Sequence, residues 1–102
     1  MTQYKNARID TYEGDGLSTG HPCEVVIRDG SIWVTWRENI QYTTYNGQEV
    51  APGHFKLSAP SVRGSATLHR FPIDDDVLEG TWHQEGYEGM WRIHLGDVAN
   101  LS

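Results

Sequence analysis

Residues 77–95, VLEGTWHQEGYEGMWRIHL, decide the fold. They predict a β-hairpin turning at Gly86-Tyr87, because glycine at the first loop position suits a type II′ turn, whose twist matches that of the flanking strands. In that register Trp82 faces Trp91, Gly80 faces Ile93 and Leu78 faces Leu95. One face then holds Leu78, Gly80, Trp82, Trp91, Ile93 and Leu95. The other pairs Glu79 with His94, Thr81 with Arg92 and His83 with Met90. Two strands that agree on one apolar face, in the register their turn dictates, weigh more than either strand alone.

Outward from that hairpin the chain repeats the same device. Asp29-Gly30 is a type I′ turn dipeptide. It sets Arg28 opposite Ser31, Ile27 opposite Ile32, Val25 opposite Val34 and Cys23 opposite Trp36, with Val26 and Trp33 an apolar pair on the other, mostly polar face. Residues 4–12 predict a strand of poor alternation, in which Ala7 and Ile9 share a face with Lys5 and Thr11. The glycine-rich run 13–22 predicts a surface loop. Residues 40–45 predict a strand, Asn46-Gly47 a second I′ turn, and 48–51 a short return strand broken at Pro52-Gly53. Strands follow at 54–58, with Phe55 and Leu57 on one face, and at 65–71, with Ala66 and Leu68 on one face. Residues 60–64 read as a loop, 72–76 as an acidic turn, and the chain after Gly96 as a loose tail.

No window carries apolar residues at helical spacing over three turns. The expectation is one all-β domain over residues 1–102: an antiparallel meander of about eight short strands, closing as a small β-barrel or alternatively packing as a β-sandwich. The pattern L-x-G-x-W…G-x-W-x-I-x-L at 78–95 resembles strands of the small calycin barrels, the lipocalin and avidin group. This resemblance is at the level of the fold and covers one hairpin; it implies a closed barrel.

Composition narrows the function classes. The 102 residues are 37% hydrophobic and 22% charged, with four Trp, five Tyr and two Phe, enough for a core in a soluble chain. The net charge of −6 and the scattered basic residues oppose a nucleic-acid partner, which would need clustered Lys and Arg. Neither a signal-peptide run nor a membrane-spanning apolar stretch is visible. Cys23 is the single cysteine, so an intrachain disulfide is ruled out; a cytoplasmic location, without membrane association, is the expectation.

Several motifs invite chemistry and each has a plainer account. Gly16-Leu17-Ser18-Thr19-Gly20 matches the nucleophile elbow G-x-S-x-G, but that mechanism needs a strand-turn-helix context this short chain lacks. His83 and His94, with Glu79, share a face, yet Arg92 lies between them and opposes a cation; a solvated polar face accounts for them. Asp74-Asp75-Asp76 lacks the spacing of a calcium loop. His21 and Cys23 flank Pro22, and Cys23 lies on an apolar face, where a thiol is packing. No metal, cofactor or catalytic residue is assigned.

Three function classes remain. The first is a non-enzymatic barrel binding a small apolar or amphipathic ligand along a wall of Leu78, Gly80, Trp82, Trp91 and Ile93, where Gly80 leaves room. The second is a protein-interaction module, such as a homo-oligomer, using Val26, Trp33 and Phe71. The third is an enzyme using Glu79, His83 and His94 at the barrel mouth; it has the weakest support, since spacing alone converges no titratable pair.

Overall fold

A computed structural model describes residues 2–71 and 74–96, the side chains at 71, 74 and 75 excepted. Its elements are β1 (Thr2–Glu13), β2 (Gly16–Arg28), β3 (Ser31–Glu38), β4 (Gln41–Ala51), β5 (His54–Ala59), a 3₁₀ turn (Pro60–Val62), β6 (Gly64–Phe71), β7 (Asp74–Gln84) and β8 (Tyr87–His94). The strands lie in the order β1 to β8, each antiparallel to the next, and β1 closes on β8 from Arg8↔His94 to Tyr12↔Met90. The architecture is therefore a closed eight-stranded meander barrel, and the sandwich alternative is excluded. Among the described residues, no helix is long and apolar enough to cross a membrane.

Alternation explains the inside. Val25, Ile32, Val34, Leu68, Leu78, Ile93 and Leu95 are fully buried, with Ala7, Ile9, Phe55 and Leu57 beside them. The Asp29-Gly30 hairpin has the expected register, from Arg28↔Ser31 to Cys23↔Trp36. In β1 a register shift between Tyr4 and Ala7 lets Tyr4, Ala7 and Ile9 all point inward while Lys5 is exposed. That irregularity is why the strand alternates poorly in the sequence.

Three expectations are corrected. The hairpin of 77–95 turns at Glu85-Gly86, both at positive φ (53° and 87°), so Gly80 pairs with Trp91, Trp82 with Gly89 and Leu78 with Ile93. This slip of two residues leaves every side chain on its expected face, because the side-chain period is also two. Asn46-Gly47 is not a turn: it lies inside β4, paired with Trp33 and Ile32 on one side and with Ser58 and Leu57 on the other. The chain reverses instead at Pro52-Gly53, where Gly53 has a φ of 74° and donates its N–H to Glu49 Oε2 at 2.9 Å. Proline cannot donate to the ladder, so the break belongs there. Residues 13–22 are not a loop. Glu13↔Gly16 closes a tight turn and β2 runs on from Gly16. Its first five residues, Gly16–Gly20, are exposed, and β2 meets β3 only from Cys23. A hairpin that overhangs the barrel rim buries neither face and so carries no apolar alternation.

The acidic run 72–76 divides. Residues 72 and 73 lie outside the described residues, and Asp74–Asp76 open β7.

Candidate functional site

The meander gives the barrel two unlike ends. The turns β2–β3 and β4–β5 lie at one end with the first and last described residues, Thr2 and Gly96; the turns β1–β2, β3–β4 and β7–β8 and the 3₁₀ segment lie at the other. Inward side chains fill the first end, where Arg70 donates to the Tyr4 hydroxyl at 3.1 Å. The second end holds a pocket of about 270 Å³. Its wall combines Trp36, Tyr45, Trp82 and Trp91 with Ile9, Thr11, Ser18, His21, Glu38 and Gln84.

Each large ring is set where its cross-strand neighbours are small. Trp91 lies between Gly80 and Thr11, Trp82 between Ala66 and Gly89, and Trp36 between Cys23 and Thr43. Alternation of large and small side chains is what fits rings into a narrow barrel. Tyr45 stacks on Trp36 (centroids 5.5 Å, planes 20° apart), while Trp91 stands edge-on to Trp36 (6.2 Å, 74°) and tilted to Tyr45 (5.5 Å, 59°). Tyr45 and Trp91 are buried beneath; Trp36 and Trp82 are half-buried toward the opening.

The polar atoms of the rings are committed. Trp36 Nε1 donates to Glu38 Oε1 at 3.0 Å, Trp82 Nε1 to the Met90 carbonyl at 3.2 Å and Trp91 Nε1 to the Thr67 carbonyl at 2.9 Å. The Tyr45 hydroxyl donates to Gln84 Oε1 at 2.6 Å. Burial first, then the nearby Glu38 and Glu85 carboxylates, pushes that phenol up to about 12, so it remains a neutral donor. His21 Nε2 lies 3.0 Å from the Arg37 carbonyl. Among the described residues the wall contains one carboxylate, Glu38, and neither lysine nor arginine.

Of the five expected wall residues, Trp82 and Trp91 border the pocket. Leu78 and Ile93 are fully buried partners elsewhere in the core. Gly80 opens onto no space: a Cβ there would stand 1.8 Å from the Thr67 carbonyl oxygen of β6. Gly47 and Gly89 are alike, with Lys56 O and Tyr12 O each at 1.8 Å. These glycines mark where neighbouring backbone crowds a sharply coiled strand, a corner of the closed sheet.

Val26 and Trp33 are cross-strand partners, half-buried on the outer wall; Phe71 ends β6 opposite Asp74, and its side chain lies outside the described set. Glu79, His83 and His94 also face outward, away from the pocket. Glu79 pairs with Arg92 at 2.8 Å, His83 with Glu88 at 3.4 Å and His94 with Asp10 at 3.1 Å. Among the described residues, no group of three His, Cys, Asp or Glu converges as metal ligands would. Cys23 is buried, and desolvation pushes its thiol up to about 12. Thr11, Glu38, Tyr45 and Gln84 had no sequence signal of their own, and Ser18 stood out only in a chance G-x-S-x-G match; register and barrel closure bring them together around the pocket. Comparisons with protein-family models, curated proteins and solved structures found no match.

Proposed function

We propose that this barrel is a non-enzymatic binding domain whose open end takes a small amphipathic molecule. The carrying observation is the pocket of about 270 Å³, walled by four aromatic rings and rimmed by Ser18, Thr11, Gln84 and Glu38. Small-molecule sites are concave and largely apolar with a few fixed polar groups. This one lies just below the roughly 300 Å³ at which such sites usually begin, which suits a guest of modest size. A ligand here meets rings that its own partners already hold in place, so little ordering cost accompanies binding.

The test is a nitrogen-edited NMR screen of small amphipathic fragments, with the indole N–H signals of Trp36, Trp82 and Trp91 as reporters. Ser18→Phe, at an exposed position on the rim, places a ring in the opening. Fragments should move the three indole signals in the parent chain and not in Ser18→Phe. Absence of any such fragment, or equal shifts in both chains, refutes the reading.

A second reading has its own observation. Leu17, Tyr12 and Met90 are neighbours across β2, β1 and β8 on the outer wall, and their exposures of 59%, 40% and 57% leave an apolar row in solvent. Such a row suits a protein contact. A concentration-independent monomer mass by sedimentation would count against self-association there.

A further inference from the structure

We infer that the guest of this pocket is an organic cation, an alkylated ammonium head group held by the rings of Trp36, Trp82 and Trp91 beside the Glu38 carboxylate. The inference rests on the binding reading above and adds the chemical class of the ligand.

The first argument is what the pocket cannot give. An anionic guest needs donors or cationic side chains. All three indole N–H groups and the Tyr45 hydroxyl already donate within the protein; what the wall has left for an anion is the Thr11 and Ser18 hydroxyls, the Gln84 amide and the His21 ring, with neither lysine nor arginine among the described lining residues. The second is what it offers. With their N–H groups engaged, the half-buried Trp36 and Trp82 rings have only carbon and π surface left to offer, one face of Trp36 being stacked on Tyr45, and an aromatic face attracts a cation through its quadrupole. Glu38 uses one oxygen on Trp36; its second oxygen has no hydrogen bond among the described residues. The third is shape. The Trp36 and Trp91 planes meet at 74°, making a corner rather than a slot. A corner encloses a compact tetrahedral head group, whereas a flat ring seeks parallel walls. The fourth is the surrounding field. Glu85 stands in the turn beside the pocket, so with Glu38 two carboxylates draw a cation toward this end.

The same head group could arrive free or at the tip of a methylated lysine side chain. The probes are therefore choline, its neutral carbon isostere 3,3-dimethylbutan-1-ol, and a short peptide carrying trimethyllysine. Affinity is read by tryptophan fluorescence and by the indole N–H signals. Choline should bind about tenfold more tightly than the isostere, the preference expected of a desolvated cation on aromatic rings. Glu38→Gln keeps an acceptor for Trp36 and should weaken choline about three- to tenfold while leaving the isostere unchanged. Peptide binding tighter than choline would support the proposal with a protein as the source; choline at least as tight would support it with a free small molecule. Equal binding of choline and isostere, both at the indoles, overturns the cation inference and leaves the amphipathic pocket standing. If neither choline, isostere nor peptide moves the indole signals, the cation inference falls, and the fragment screen then decides the pocket separately.

Discussion

Gly80→Ala should be severely destabilising, although it adds one methyl group to a strand interior. The new Cβ would stand 1.8 Å from Thr67 O. A carbon–oxygen contact needs about 3.3 Å, so β6 would have to withdraw by roughly 1.5 Å. That same oxygen accepts the Trp91 indole N–H at 2.9 Å, and the Thr67 hydroxyl accepts the Thr81 N–H at 3.1 Å. Withdrawal therefore strains the packing, at about 1–3 kcal/mol, and orphans a buried indole donor, at about 1–3 kcal/mol more. The expected loss is roughly 2–6 kcal/mol, a large part of the roughly 5–15 kcal/mol that a small domain has. Urea unfolding followed by tryptophan emission and by far-ultraviolet circular dichroism measures it: the midpoint should fall sharply with the slope unchanged. A midpoint within error of the parent chain would refute the close approach of β6, and with it the role of Gly80 as a corner of the barrel.

Two further perturbations probe the turn and the seam. Glu85 holds a φ of 53° ahead of Gly86, and asparagine tolerates that conformation better than glutamate; Glu85→Asn should add about 0.5–1 kcal/mol, raising the melting temperature by about 2–8 °C, and a lower melting temperature would oppose a left-handed backbone at Glu85. Asp10 accepts the Gly20 N–H at 2.9 Å and lies 3.1 Å from the His94 ring, contacts that hold its carboxyl below the ordinary 3.8; the Gly20 hydrogen bond is the larger cause. Because the folded value is depressed, the stabilisation is present above the unfolded pKa and lost as pH falls through the folded one. Asp10→Asn should therefore flatten the acid side of a stability–pH curve, and a parallel, undiminished acid slope in the variant would count against this linkage.

The fold was readable in the chain because alternation and turn chemistry agreed wherever both faces of a strand had different surroundings. Asp29-Gly30 shows this, with apolar partners from Ile27↔Ile32 onward. Turn chemistry alone misled at Asn46-Gly47, a strong local turn signal that the obligatory break at Pro52-Gly53 overrode. It misled by two residues at Glu85-Gly86, where no alternation could object. Of the pocket wall, Trp82 and Trp91 are visible in the sequence as inward rings. Glu38 and Gln84 were not, since a polar residue at a strand end looks the same whether it rims a pocket or faces water. Glycine inside a strand marks a gap or the close approach of another group; at Gly80 it is the close approach of a β6 carbonyl and not room for a guest.

An up-and-down sheet with an even number of strands returns the chain to the side from which it set out. Thr2 lies beside Ile27, next to the β2–β3 turn, and Leu95 donates its N–H to Asp76 O at the head of β7. Both leave the barrel at the filled end, opposite the rings. A label or another polypeptide joined directly at Thr2 or Gly96 would thus stand opposite the rings and leave the opening clear.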